Sequence, residues 1–87
     1  MRKIARLKRD IELFLYKTGW ESGQPHTLFQ CALHFDLSVN QIYLNIKKLK
    51  IKIKIKASTD GIQSAAQEYG ISVSSVERLL VERLLNE

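Results

Sequence analysis

The chain repeats itself at a spacing of 34 residues. Shifted by that distance, Cys31-Ala32-Leu33-His34-Phe35-Asp36-Leu37-Ser38-Val39 falls on Ala65-Ala66-Gln67-Glu68-Tyr69-Gly70-Ile71-Ser72-Val73. Upstream, Leu28 falls on Ile62; downstream, Ile42 falls on Val76 and Ile46 on Leu80. The pattern Ala, five residues, Ser-Val is shared outright. Whatever structure one copy adopts, the other is expected to adopt too.

Each copy has a physical logic. Ala32 or Ala66 is a small residue on a helix, where a second helix has room to cross closely. Four residues on, Asp36 or Gly70 marks a sharp turn. A left-handed backbone suits Gly and is tolerated by Asp. An apolar plug follows (Leu37, Ile71), then a Ser positioned to cap the next helix (Ser38, Ser72). That helix presents Ile42 and Ile46, or Val76, Leu79 and Leu80, for burial.

Both copies resemble helix-turn-helix DNA-binding motifs. Ala32 to Leu49 is most similar to the Fis-type version, and Ala66 to Leu80 to the version in many repressors and transposase DNA-binding domains. The resemblance covers about 22 residues per copy. A tetratricopeptide repeat has a similar period, but its Trp, Leu-Gly and Tyr pattern is absent and two copies are too few for a solenoid.

The rest of the chain reads as helices around these motifs. Ile4, Leu7, Ile11 and Phe14, with Leu15 beside them, predict a helix over 2–18 that packs on the first copy, and Gly19 supplies its stop. Gly23 and the single proline, following directly on Gly19, make 20–25 a loop, with Trp20 as a lid on the core. Thr27 and Gln30 have capping-box spacing and open a second helix to about Phe35. Ser38 and Gln41 repeat the signal for a third, ending at Leu49 or Lys50. A fourth is expected from near Asp60, with Gln63 at the box position, and a fifth from Ser72 to the end. Between the third and fourth, residues 50–56 alternate Lys and Ile, which is strand patterning. This segment is expected to be a short strand needing a partner, or an extended basic connector, with Ala57 to Gly61 as a turn. The fold class is therefore mainly all-α, about five helices in two tandem helix-turn-helix units. The organisation is 1–56 (first helix, first unit, basic segment) and 57–87 (second unit), packed as one domain.

Charge points to a partner. Residues 1–56 carry 12 lysines and arginines against four carboxylates, a net of +8; residues 57–87 carry two against five, a net of −3. A basic patch on a small chain is the footprint of a polyanion binder. The resemblance implies that the second helix of each unit lies in the major groove of double-stranded DNA. In the first unit the implied contacts are Ser38, Val39, Asn40, Tyr43, Leu44, Lys47 and Lys48. Asn40 has the chemistry to pair with adenine, Val39 to touch a thymine methyl, and Tyr43 and Lys47 to meet phosphates. Lys50, Lys52 and Lys54 extend this as a stripe along the backbone, the competing reading being an edge guarded against aggregation. In the second unit Ser74 and Arg78 are the equivalents, but Glu77 and Glu82 oppose phosphate, so that helix either reads DNA weakly or serves packing and dimerisation. The apolar run Val76, Leu79, Leu80, Val81, Leu84 and Leu85 fits either role.

Enzyme chemistry finds little support: there is no glycine-rich phosphate loop and no paired-carboxylate arrangement. One cysteine and two histidines make a structural zinc site improbable. Cys31 and His34 are helix neighbours, yet Cys31 aligns with Ala65 and reads as a core thiol, and His34 aligns with Glu68 and reads as a surface residue or a phosphate contact. No cofactor, metal, catalytic residue or small-molecule substrate is expected. No apolar run reaches a membrane span, and no signal-peptide stretch follows Met1. The expectation is a cytoplasmic, sequence-specific DNA-binding regulator of bacterial, phage or plasmid type, or a fragment of a transposase, nucleoid-associated if bacterial, with double-stranded DNA and a second copy of itself as partners. The alternatives are a protein-interaction module on the same fold, or an RNA-binding protein using the lysines.

Overall fold

The computed structural model describes the backbone of residues 3–86 and the side chains between Arg6 and Glu82. Five α-helices and no strand occur among the described residues: α1 (Lys3–Thr18), α2 (Leu28–Phe35), α3 (Val39–Asp60), α4 (Ile62–Tyr69) and α5 (Val73–Asn86). The chain divides into two units, Met1–Leu49 and Lys50–Glu87, so α3 contributes its first half to one and its second half to the other.

The repeat seen in the sequence is a repeat of backbone geometry. The bounds of α2 and α4, and the starts of α3 and α5, are displaced by the same 34 residues. Asp36 closes α2 at φ 56°, ψ 49°, and Gly70 closes α4 at φ 66°, ψ 32°, both left-handed. The Leu37 N–H donates to the Ala32 carbonyl at 3.1 Å, and the Ile71 N–H to the Ala66 carbonyl at 3.0 Å. These bonds occupy carbonyls that a helix end leaves without partners. Asp36 is the one non-glycine residue with positive φ among the described residues.

In the first unit, α1 packs on α2. Leu13, Phe14, Cys31, Ile42, Ile46 and Leu49 form the core. The buried face of α1 differs from the expected stripe. Leu7, Ile11 and Leu15 are only half-buried, whereas Leu13, outside that stripe, is fully buried with Phe14. The last turns of α1 are covered from two sides, by α2 and by the following loop, whose Trp20 sets its ring against Phe14 at 5.5 Å and 88°. The side chains of Ile4, Arg83, Leu84 and Leu85 lie outside the described residues.

In the second unit, α4 packs closely on α5. Ala65 and Ala66 remove bulk from α4, and Ile53, Ala57, Tyr69, Ile71, Ser75, Val76 and Leu79 complete the core.

The Lys-Ile segment departs furthest from its strand-like pattern. Residues 50–56 are neither a strand nor an extended connector, the third helix does not end at Leu49 or Lys50, and 57–60 is not a turn. All of it is α3. The buried residues Ile42, Ile46, Leu49, Ile53 and Ala57 recur at steps of four, three, four and four, which is helical spacing. A lone strand here has no partner for its backbone, while a continuing helix satisfies every N–H and C=O internally. Gly61 then ends α3, its N–H donating to the Ala57 carbonyl at 3.0 Å. Gly61 also precedes α4 with no side-chain cap, so Asp60 and Gln63 do not form the expected box.

A measurement separates the two patterns. In a strand Ile51, Ile53 and Ile55 share a face and respond alike. In α3, Ile53 is fully buried while Ile51 is 47% and Ile55 60% exposed. Ile53→Val is expected to cost about 0.5–1.5 kcal/mol, and Ile51→Val or Ile55→Val less than about 0.5 kcal/mol, in chemical denaturation.

Candidate nucleic-acid interface

The start of α3 is fixed by a complete capping box. Gln41 N–H donates to Ser38 Oγ at 3.1 Å, and Ser38 N–H donates to Gln41 Oε1 at 3.1 Å. The Ser38 hydroxyl is thus held in the cap. Burial of Ile42, Ile46 and Leu49 rotates the opposite side of the helix outward. That side carries Asn40, Tyr43, Leu44, Lys47 and Lys48, all exposed, with Val39 at its tip. Lys47 Nζ sits 5.8 Å from the centre of the Tyr43 ring, a cation–π distance that holds the ammonium beside the phenol. The implied first-unit contacts therefore share one exposed helical surface, and Ile42 and Ile46 are excluded from it by burial.

The lysines that follow do not form one stripe. At about 100° per residue, Lys50 and Lys54 share a side of α3 and Lys52 lies on another. Lys50 Nζ is bound to Glu82 Oε1 at 2.8 Å. Lys56 Nζ is bound to Asp60 at 2.5 Å and Glu68 at 3.0 Å, hydrogen bonds that hold its pKa above the ordinary lysine value. Among the described residues Lys47, Lys48, Lys52 and Lys54 make no ion pair. The charge balance changes accordingly: with the boundary inside α3, the first unit has eight basic against four acidic residues and the second six against five, nets of +4 and +1.

On α5, Ser72 Oγ accepts from the Ser75 N–H at 3.0 Å and starts the helix as Ser38 does for α3. Ser74 and Arg78 are exposed, together with Val73, Glu77 and Val81. This face mixes both charge signs with two apolar residues.

Cys31 is fully buried, and that burial pushes its thiol pKa up despite the nearby Lys17 cation. A thiol kept protonated is a poor nucleophile. His34 engages the Tyr16 ring instead. Tyr16 is sandwiched between His26 (3.7 Å, 6°) and His34 (4.4 Å, 15°), and His26 Nδ1 donates to the Tyr16 carbonyl at 2.8 Å. This stack pins the loop before α2 to the end of α1. It lines an open cleft of about 610 Å³ that also includes Glu12 and Phe35. Sequence periodicity could not reveal it, because its members lie on three separate segments.

No helix among the described residues is long and apolar enough to cross a membrane. Compared with known protein families, curated proteins and solved structures, the chain shows no significant match to any of them.

Proposed function

We propose that this chain is a sequence-specific double-stranded DNA-binding protein, a small transcriptional regulator that reads its site with the N-terminal half of α3. The observation that carries this reading is the exposed face of α3 next to a tight left-handed turn. It combines one residue suited to a base edge, Asn40, with an aromatic, two apolar residues and two ion-pair-free lysines. Phosphate contacts would come from Lys47, Lys48 and the Tyr43 hydroxyl, and base contacts from Asn40, Val39 and Leu44. Ser38 acts as the cap that orients the helix.

The second unit contributes less to readout. Its equivalent face offers Ser74 and Arg78, but Glu77 beside them repels phosphate. Lys52 and Lys54 add general affinity, whereas Lys50 must first give up Glu82. A protein-facing role for α5 is favoured by its exposed Val73 and Val81.

Selection of bound duplexes from a random pool tests the proposal. The expected result is an enriched motif with a step in it that Asn40→Ala relaxes. A pool that stays random after repeated rounds, or one outcompeted by structured RNA, overturns it.

A further inference from the structure

Two large apolar side chains on α2 face solvent: Phe29 is 64% and Leu33 70% exposed. They lie one turn apart, on the side of the helix opposite the buried Cys31. The repeat provides an internal control. The equivalent positions on α4 are Gln63 and Gln67, also exposed. The two helices have the same length, the same left-handed closure and the same terminal hydrogen bonds. The sister helix thus forms with glutamine at both positions, so this helical geometry by itself does not demand Phe and Leu. An adjacent exposed apolar pair that the helix geometry does not require is a ridge available to a partner.

We infer that this ridge is a self-association surface, covered by α2 of a second copy of the chain packed antiparallel across a twofold axis. Charge selects that occupant. The chain has a formal net charge of +5, so two copies repel over most of their surface, yet α2 contains no Asp, Glu, Lys or Arg. A twofold axis perpendicular to the helix sets each C-terminal end beside the partner's N-terminal end. The exposed Asp36 carboxylate, one residue past α2, then faces the partner helix's outward-pointing N–H groups, the favourable sense of the helix dipole. In the same arrangement Phe29 meets the partner's Leu33, and Leu33 meets the partner's Phe29, so the ridge is complementary to itself. Ala32 beside the ridge leaves room for close approach.

Two large side chains per copy cover much less than the roughly 800 Å² per partner of a stable interface. Association is therefore weak and concentration-dependent. Adjacent half-sites on one duplex would strengthen it by holding two copies together. This last consequence rests on the DNA-binding reading; the self-association does not.

The test is sedimentation equilibrium of the full chain without DNA, from micromolar to millimolar concentration, on the wild type and on Phe29→Gln/Leu33→Gln. That variant carries the residues of the sister helix. The wild type is expected to shift from monomer mass toward dimer mass. The variant is expected to remain monomeric, with a dissociation constant raised about tenfold or more and an unchanged melting temperature. Should the double variant fail to fold, Leu33→Lys places a single charge in the ridge and is expected to give the same monomer. A wild type that stays monomeric at millimolar concentration overturns the inference, even if it binds DNA. So does a folded variant that associates as the wild type does.

Discussion

Gly19→Ala is expected to destabilise the first unit by about 2–5 kcal/mol, a large loss for a single added methyl group. Gly19 is buried and closes α1 at φ 64°. A side chain in that left-handed conformation costs about 1–2 kcal/mol by itself. In addition, a Cβ at this position would overlap the backbone nitrogen of Pro25 and stand 2.7 Å from its Cα. Those are backbone atoms of a loop anchored by the Gly23 N–H to the Gly19 carbonyl at 2.7 Å and the His26 N–H to the Lys17 carbonyl at 3.1 Å. The loop cannot yield without losing those bonds and disturbing the Tyr16 stack. Gly70→Ala provides the control: its φ is nearly the same, at 66°, but nothing lies within 4 Å of an added Cβ. It is expected to cost only the conformational part, about 1–2 kcal/mol. Denaturant unfolding of the two variants gives the comparison, and equal losses would show that the Pro25 contact does not constrain the fold.

What could be read from the sequence was the part encoded locally. The two capping serines, the left-handed positions Asp36 and Gly70, and the helix starts at Leu28 and Val73 follow from residue chemistry within four or five positions. The repeat doubled each signal, and the backbone geometry matches in both copies. The errors came where tertiary packing overrode a local pattern. Seven residues of alternating Lys and Ile satisfy the strand template, but the burial of Ile53 one turn beyond Leu49 continues the helical spacing set by Ile42 and Ile46. Counting backward from Ala57 at steps of four, four, three and four, through Ile53, Leu49 and Ile46 to Ile42, exposes that continuity in the sequence itself. Leu13 falls outside a single periodic stripe because such a stripe describes a helix covered on one side, and α1 is covered on two. The charge segregation depended on assigning residues 50–56 to the first unit. Once they fold with the carboxylates of the second, Glu82, Glu68 and Asp60 bind two of the four lysines.

The candidate interface was legible for the same reason as the cap. Ser38 fixes the phase of α3, and that phase decides which of residues 39–48 face outward. Two features lie outside a periodicity reading: the pairing of Lys50 with Glu82, 32 residues apart, which no local pattern encodes, and the exposure of Phe29 and Leu33. The second of these had a visible signal: within the repeat, Leu33 stands against Gln67 and Phe29 against Gln63, where most neighbouring apolar positions agree.

Asn40 decides between a helix that reads bases and one that merely lies near DNA. It is exposed, and it lies two residues past a cap whose hydrogen bonds involve Ser38 and Gln41 and not Asn40. Removing its amide should therefore leave the fold intact. The decisive measurement is the change in binding free energy caused by Asn40→Ala on the selected duplex, set against the change on an unrelated duplex at the same salt concentration. The expected loss is about 1–3 kcal/mol on the selected duplex and close to none on the unrelated one, with an unchanged melting temperature. Equal losses on both duplexes at unchanged stability, or no loss on either, would contradict base readout by this face of α3.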